Sequence, residues 1–363
     1  MNQWQTLLAQ GYDDIGSLQK IFSFSADEMA ALRSIQEQFP AYVNPYYLSL
    51  IDPDDPDDPI RKMSIPSVHE LNRTGSFDTS GEHSNTVLPG LQHKYRETAL
   101  LLSTNQCAMY CRHCFRKRLV GSSEDEIAAR LDEIVSYIKE YPEISNVLIS
   151  GGDAFMNSND TIGRYLSALC AIPHLDLIRF GTRVPVSLPQ RITSDEELTD
   201  LLRVYSARKK IFVVTQFDHP HEITPESTAA VETLLELGIP VRNQTVLLKG
   251  VNDDSRVLGR LLRQLTSIGV LPYYVFQCRP VTGVMDHFQV PLREGYRIVN
   301  GAMQMQNGQG KGCRFMLSHV TGKIEILGEL SDKQMLFKYH QAKDAENAGR
   351  IFTREIEDGR CWI

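Results

Sequence analysis

The sequence predicts an α/β fold in which a parallel sheet is closed, or nearly closed, into a barrel. Between residues 98 and 278, short apolar runs typical of buried strands alternate six times with segments of helical periodicity. Polar residues collect directly after these runs, at the strand ends where barrel enzymes place their active sites. Six units fall short of the eight in a full barrel.

Residues 1–90 predict a helical and irregular extension in front of the barrel. Ser25 and Glu28 have the spacing of a capping box, and we expect the helix that they open to end near Phe39, ahead of Pro40. The acidic, proline-rich residues 52–59 can neither propagate a helix nor donate fully to a sheet. We therefore expect an exposed connector there.

The barrel core is predicted over residues 91–290. Its six strands are expected at residues 98–103, 147–150, 177–183, 211–216, 241–248 and 273–278. A capping box at residues 123–126 predicts a helix through Ile138, and further helices are expected at residues 161–171, 224–238 and 257–268. Residues 291–363 predict a C-terminal extension that covers the barrel mouth, with short strands at residues 315–318 and 323–326.

Composition and charge narrow the class of protein. The net charge of −7 gives no support to a nucleic-acid surface, and no apolar run approaches the length of a membrane span. The first residues have neither a basic start nor an apolar core, so we expect no signal peptide. The seven cysteines are then expected to be reduced, in the cytoplasm.

Three cysteines, Cys107, Cys111 and Cys114, follow the first predicted strand at C-x3-C-x2-C spacing. Three thiolates on one short loop can converge on a [4Fe-4S] cluster, for which ferredoxins use four cysteines. One iron is then open to a ligand from outside the protein, which indicates chemistry rather than electron storage. The alternatives are a zinc site without its fourth ligand, or thiols that only pack.

Gly151 and Gly152 end the second predicted strand and precede Asp153. Two glycines let the backbone approach a ligand closely, so that amides and carbonyls can bond amino and carboxylate groups. The alternative is an ordinary turn capped by Asp153. Polar side chains after the other strands indicate one shared site: Arg179, Arg183, Gln216, Asn243, Gln244 and Arg279.

Five stretches carry a resemblance to a known family: residues 107–118, 149–154, 184–193, 218–224 and 243–253. In this order they resemble the lysine 2,3-aminomutase family of the radical S-adenosylmethionine (SAM) superfamily, over roughly residues 91–288. The resemblance implies a partial (β/α)6 TIM-type barrel. It also implies that SAM binds the open iron and is cleaved reductively to a 5′-deoxyadenosyl radical, with electrons from an external donor such as flavodoxin or ferredoxin. Family aminomutases bind their substrate through pyridoxal phosphate (PLP) and move its amino group between adjacent carbons.

The resemblance assigns roles to individual residues. The cluster is held by Cys107, Cys111 and Cys114. The residues implied for SAM are His113, whose ring could pack on adenine or be a plain loop residue, together with Gly151, Gly152, Asp153, Gln216 and Gln244. Arg116 matches the arginine that binds the substrate carboxylate.

The chain departs from the family at the PLP positions. The family's PLP lysine lies in a glycine-rich loop before Thr-Pro, and the candidate loop here, residues 308–312, contains Lys311 before Gly312 and Cys313. The family arginine that helps to hold the PLP phosphate aligns with Thr98. The C-terminal cysteine cluster that binds zinc in larger members is missing.

The substrate positions differ as well. The aspartate that lysine mutases use for the distal ammonium is Arg279 here, and a second such aspartate is not evident in residues 302–306. Arg279 suits a carboxylate or phosphate and repels an ammonium. The alternative is a salt bridge from Arg279 to an acidic neighbour such as Asp286.

Three functions stay open. The first is an aminomutase-type amino migration on an amino-acid-like substrate. The second keeps the radical but drops PLP, and leads to another rearrangement, a dehydrogenation or an epimerisation of an acidic substrate. The third is a non-catalytic cluster or zinc module that acts as a redox sensor or partner protein. A protein lysine substrate also stays open, because a family relative modifies a lysine on a translation factor, and so does a homo-oligomer.

Overall fold

One twelve-stranded sheet organises the protein. The computed structural model describes residues 2–122 and 125–363, and in this part of the chain the strands lie in the sheet in sequence order. They are β1 Thr86–Leu88, β2 Leu91–Tyr95, β3 Thr98–Thr104, β4 Asn146–Gly151, β5 Leu177–Gly181, β6 Lys210–Thr215, β7 Val241–Leu247, β8 Leu271–Gln277, β9 Arg314–His319, β10 Gly322–Glu329, β11 Gln334–Ala342 and β12 Ile351–Glu355.

Fifteen α-helices lie in the described residues. They are α1 Gln3–Ala9, α2 Ile15–Leu18, α3 Ala26–Gln38, α4 Pro45–Leu48, α5 Pro59–Ser64, α6 Glu82–Asn85, α7 Leu131–Glu140, α8 Asn159–Cys170, α9 Val184–Ser187, α10 Gln190–Thr193, α11 Glu196–Ser206, α12 Pro225–Glu236, α13 Ser255–Ser267, α14 Met285–Phe288 and α15 Leu292–Gln304. Short 3₁₀ turns lie at Val68–Leu71, Ala154–Met156, Pro220–Glu222, Gly310–Gly312 and Ala345–Asn347.

The predicted parallel core is confirmed. The six expected strands are β3 to β8, each paired in parallel with the next. The expected hairpin of β9 and β10 is present, but β9 also pairs in parallel with β8. The parallel run therefore has seven strands. The predicted box at residues 123–126 includes Ser123 and Glu124, which lie outside the described residues, and the helix after it begins only at Leu131.

The sheet curves until its two sides meet. Along β4, β5 and β7, alternate residues are buried under helices while those between them face the interior. Lys323 of β10 lies 5.8 Å from the Tyr95 ring of β2 and 5.2 Å from the Tyr274 ring of β8. Lys94 of β2 donates to the His319 carbonyl of β9 at 2.6 Å. Since these strands are distant in the sheet order, the contacts close a partial barrel.

The N-terminal residues pack on the cysteine loop, residues 105–118. The predicted capping box is present, with Ser25 and Glu28 at the start of α3. Three backbone or amide contacts hold the loop: Tyr110 N to Tyr42 O at 2.9 Å, Arg112 N to Met63 O at 2.8 Å, and Asn44 Nδ2 to Ala108 O at 2.9 Å. The division into residues 1–90, 91–290 and 291–363 stays our proposal.

The C-terminal residues take part in the sheet through β9 to β12. The last residues return to the carboxyl end of β8, where Gln277 Nε2 donates to the Cys361 carbonyl at 3.1 Å. In residues 2–122 and 125–363, no helix is long and apolar enough to cross a membrane.

Candidate active site

The cysteine loop begins where β3 ends, and its three thiols lie within electrostatic range of one another. Burial raises the pKa of each, to about 11 for Cys111, and the neighbouring thiols add to this for Cys107 and Cys111. Arg183 Nη1 donates to Cys111 Sγ at 2.8 Å. Thiols that resist ionisation alone are held as thiolates by iron, because a coordinated thiol loses its proton. Three thiols on one loop, with a cation at Cys111, are the set of donors that a cluster requires.

Glu70 anchors the loop from the N-terminal side. Its fully buried carboxylate accepts from Arg112 Nε at 2.9 Å, Arg112 Nη2 at 2.6 Å and Lys117 Nζ at 2.6 Å. Burial raises the pKa of Glu70, but Arg112 and Lys117 overcome it and lower the pKa to about 2. The carboxylate therefore neutralises two buried cations on either side of Cys114.

Glu82 likewise pairs with two cations of the loop, Arg116 and Arg118. Arg116 Nε donates to Glu82 Oε1 at 2.9 Å, and Arg118 Nη2 donates to Oε2 at 2.8 Å. The remaining Nη1 of Arg116 makes only 3.4 Å contacts, with Ser150 Oγ and the Gly151 carbonyl. Arg116 thus lies at the carboxyl end of β4 with one nitrogen in weak contact. Its predicted role with a substrate carboxylate stays a prediction.

Gly151 and Gly152 bring β4 against the cysteine loop. Gly152 N donates to Thr104 O at 2.6 Å. A Cβ on Gly151, whose φ is +122°, would collide with Thr104 O, and one on Gly152 would collide with Gln106 O. The glycines were expected to let a ligand approach the backbone. In the structure they let the backbone of the cysteine loop approach the end of β4 closely. Their predicted SAM contact is not tested by this packing.

Asp153 caps the short turn after β4, which is the alternative that the sequence left open for it. Its Oδ1 accepts from Phe155 N at 3.0 Å and from Thr182 Oγ1 at 2.5 Å, and its Oδ2 accepts from Arg183 N at 2.6 Å. These donors occupy both oxygens. The carboxylate ties the ends of β4 and β5 together, and its expected contact with SAM stays a prediction.

His113 and Gln216, both predicted to bind SAM, are brought together. His113 Nε2 lies 2.9 Å from Gln216 Nε2 and 3.4 Å from Asp218 Oδ2. In the described residues, the buried Nδ1 of His113 has no hydrogen-bond partner. An unpartnered buried nitrogen within the cysteine loop fits a bound ligand. Gln244, the third such prediction, lies on the inward face of β7, in register with Tyr274 of β8.

Arg183 links the loop to buried groups that sequence reasoning missed. Its guanidinium donates to Glu222 Oε1 at 2.6 Å and Tyr47 Oη at 3.3 Å, in addition to Cys111 Sγ. The acids directly after β6, Asp218 and Glu222, were a signal that could have been used. Tyr47 comes from the N-terminal extension, and no local pattern points to it.

Arg279 lies at the same end of the barrel. Its guanidinium donates to Ser80 Oγ at 2.9 Å and Ser318 Oγ at 2.7 Å, and stacks 4.1 Å from the Phe115 ring centroid. Burial lowers the pKa of Arg279 to about 10, although Glu82 opposes this. The alternative ion pair with Asp286 is not formed, because Asp286 accepts from Thr74 instead.

Lys311 does not reach this site. It is exposed, in the 3₁₀ turn before β9. Because β8 and β9 are parallel, the turn that precedes Arg314 lies on the side of the sheet where the strands begin. The cysteine loop follows the carboxyl end of β3, at the opposite edge. The prediction that Lys311 carries PLP therefore does not fit: the glycine-rich pattern is present at the wrong end of the barrel.

Lys323, in contrast to the exposed Lys311, lies inside the barrel among aromatic rings and other cations. It lies beside Ser318 near the carboxyl end of β9, with its ammonium among the Tyr95 and Tyr274 rings. Burial, Arg179, Arg279 and Lys94 lower the pKa of Lys323 to about 7. A lysine with such a pKa is partly neutral at physiological pH and can act as a nucleophile. The sequence predicted only a strand of a hairpin at this residue and no functional role for it.

Comparison with known proteins places the site in a class. The model of the radical SAM superfamily matches residues 101–260. Among solved structures, a radical SAM methyltransferase from Sphaerobacter thermophilus matches at a TM-score of 0.41 and 14% identity, covering 62% of this chain and 68% of that one. The superfamily match includes the cysteine loop and strands β4 to β7, and it marks the site as one of the radical SAM class.

Its family follows from closer relatives. The chain is 41% identical over 335 residues to a protein of Aquifex aeolicus provisionally named L-lysine 2,3-aminomutase, covering 91% of this chain and 89% of the relative. It is 40% identical over 303 residues to the L-lysine 2,3-aminomutase of Clostridium subterminale (83% and 71%), and 39% over 300 residues to the glutamate 2,3-aminomutase of Clostridioides difficile (82% and 70%). This chain belongs to the lysine 2,3-aminomutase family.

Membership defines the reaction class and the cofactors. The enzyme is an isomerase of the 2,3-aminomutase type that uses a [4Fe-4S] cluster and SAM, and PLP is the family's further cofactor. When bound, the cluster and SAM supply the radical that abstracts hydrogen. The chain's own contribution is to fix three thiols through Glu70 and Arg183, and to enclose a lysine of lowered pKa in the barrel.

Proposed function

We propose that this enzyme moves the amino group between adjacent carbons of an amino acid whose side chain ends in a carboxylate. The observation that carries the proposal is Arg279, a buried cation at the carboxyl end of β8 whose hydrogen bonds go to two neutral serine hydroxyls. A guanidinium in that position attracts a carboxylate and can bind it through two parallel hydrogen bonds. It repels the distal ammonium of lysine.

The amine of Lys323 supports the use of PLP in this reaction. It lies inside the barrel, near both Arg279 and the aromatic rings that could flank a flat cofactor. We propose Lys323, in place of Lys311, as the lysine that carries PLP. Arg116 is proposed to bind the α-carboxylate through Nη1, since its other nitrogens are held by Glu82.

We also propose the size of the substrate, the source of the electron and the compartment. We infer a small-molecule substrate, because the glutamate 2,3-aminomutase relative acts on an acidic amino acid and Arg279 disfavours a lysine side chain. An external donor such as flavodoxin or ferredoxin supplies the electron, and the enzyme works in the cytoplasm as a monomer or homo-oligomer.

Reversal of the charge at Arg279 tests the proposed preference for an acidic substrate. We expect Arg279→Asp to lower kcat/KM for L-glutamate by roughly 100-fold or more, because a buried carboxylate replaces the partner of the substrate's own carboxylate. The measurement is the anaerobic amino-migration rate with L-glutamate and with L-lysine.

The control is Arg297→Asp, on the exposed side of α15. It should leave the ratio of the two rates unchanged. A wild-type enzyme that prefers L-lysine, or an Arg279→Asp enzyme with an unaltered ratio, contradicts the assignment.

A further inference from the structure

Two half-buried arginines on the inner wall of the barrel, Arg179 and Arg242, form no ion pair within the described residues. Arg179 of β5 donates from Nη2 to Asn146 Oδ1 at 2.6 Å. Arg242 of β7 lies over the Phe212 and Tyr273 rings, at 5.4 and 5.0 Å. In the described residues, the Nε of each arginine is buried and has no hydrogen-bond partner.

Five other arginines, each less than a tenth exposed, provide the contrast. Each of those is paired with a carboxylate at 2.5 to 2.9 Å: Arg112 with Glu70, Arg116 with Glu82, Arg183 with Glu222, Arg191 with Asp195 and Arg293 with Glu329. Such pairing is expected, since an uncompensated buried charge is costly. No carboxylate of the described residues forms an ion pair with Arg179 or Arg242.

The charges near this pair are themselves positive. Burial lowers the pKa of Arg179, and Arg242 lowers it further. Arg179 in turn lowers the pKa of Lys323. Three cations thus line one interior without an acid paired to them in the described residues.

We propose that Arg179 and Arg242 form an oxyanion-binding site inside the barrel, for a phosphate monoester or a carboxylate. Two guanidiniums offer forked donors that match either group. The rings of Phe212 and Tyr273 hold the Arg242 plane in place. The anion is the phosphate of PLP, since Arg279 and Arg116 are already proposed for the two carboxylates of the substrate. The site does not depend on the proposed function, because inorganic phosphate reports on it without catalysis.

Calorimetric titration of inorganic phosphate into the cluster-reconstituted, PLP-free enzyme tests the site. Arg179→Gln and Arg242→Gln are each expected to weaken phosphate binding about tenfold or more, the loss of one charged hydrogen-bond partner. Arg164→Gln, at an exposed arginine on α8, is the matched control and should bind as the wild type does. Thermal midpoints of the phosphate-free variants should be equal to or above that of the wild type, because each substitution removes a repelling charge.

The source of the anion is read from two further titrations. If PLP binds about tenfold more weakly to the variants while pyridoxal, which lacks the phosphate, binds equally, the site holds the PLP phosphate. If PLP affinity is unchanged and KM for the acidic substrate rises, the site holds the substrate, which contradicts the assignment to PLP. Unaltered phosphate, PLP and substrate affinities in both variants overturn the proposal. Lower thermal midpoints also overturn it, since they assign the arginines a structural role.

Discussion

Replacing Lys323 with alanine should abolish PLP binding and reduce amino migration by roughly 10²–10⁴-fold, the range for loss of a group that takes part directly in the chemistry. The reason is that Lys323 supplies a buried amine near the carboxyl ends of the strands. The measurement is the absorbance of lysine-bound PLP in the purified protein, followed by the turnover rate. Lys311→Ala is the matched control and should keep both, since Lys311 is exposed at the amino ends.

The same lysine predicts a pH dependence. An amine attacks PLP only when neutral, and its pKa of about 7 makes the neutral form dominant above pH 7 instead of above the ordinary value of 10.5. Capture of added PLP should therefore speed up as the pH rises through about 7 and then level off. An Arg179→Gln enzyme should shift this rise to higher pH, because one of the repelling cations is gone.

Two outcomes contradict this assignment. One is a PLP absorbance band that survives in Lys323→Ala but disappears in Lys311→Ala. The other is a wild-type enzyme that contains its cluster, forms 5′-deoxyadenosine and turns over without PLP. The second outcome favours the PLP-independent rearrangement of an acidic substrate.

Replacing Glu70 with alanine should destabilise the protein by about 3–5 kcal/mol, the cost of breaking a buried ion pair from one side. Arg112 and Lys117 are both held by this carboxylate, and both would be left buried without it. The two cations flank Cys114 on the cysteine loop, so the iron content after reconstitution should fall as well.

Thermal unfolding and iron analysis measure these two effects. Glu133→Ala is the control, because Glu133 forms an exposed ion pair with Arg130 on α7 and such pairs contribute at most about 1 kcal/mol. Equal thermal midpoints and iron contents for the two variants would show that the Glu70 carboxylate does not hold the loop.

Much of the barrel could be predicted from the sequence, because its signals are local. Most strands from β3 to β8 contain a short apolar run, and the cysteine spacing is contained in eight residues, 107–114. The capping box at Ser25 and Glu28 is likewise a pattern of four residues, and it opens α3 as expected.

The parts that could not be predicted depend on contacts between distant segments. Glu70 and Glu82 lie in a stretch without a regular pattern, and their partners on the cysteine loop come 47 and 34 residues later, at Lys117 and Arg116. The choice between Lys311 and Lys323 depends on which end of β9 each lies near. A glycine-rich loop looks the same at either end, and only the parallel register with β8 distinguishes them.

The most direct test of the proposed function is a product analysis of the reconstituted enzyme. The enzyme is incubated without oxygen with SAM, PLP, a reductant and either L-glutamate or L-lysine, and the amino acids are separated by chromatography. We predict formation of the 3-amino isomer of glutamate together with 5′-deoxyadenosine, and little or no conversion of lysine. Conversion of lysine without conversion of glutamate would contradict the role of Arg279 and the acidic substrate.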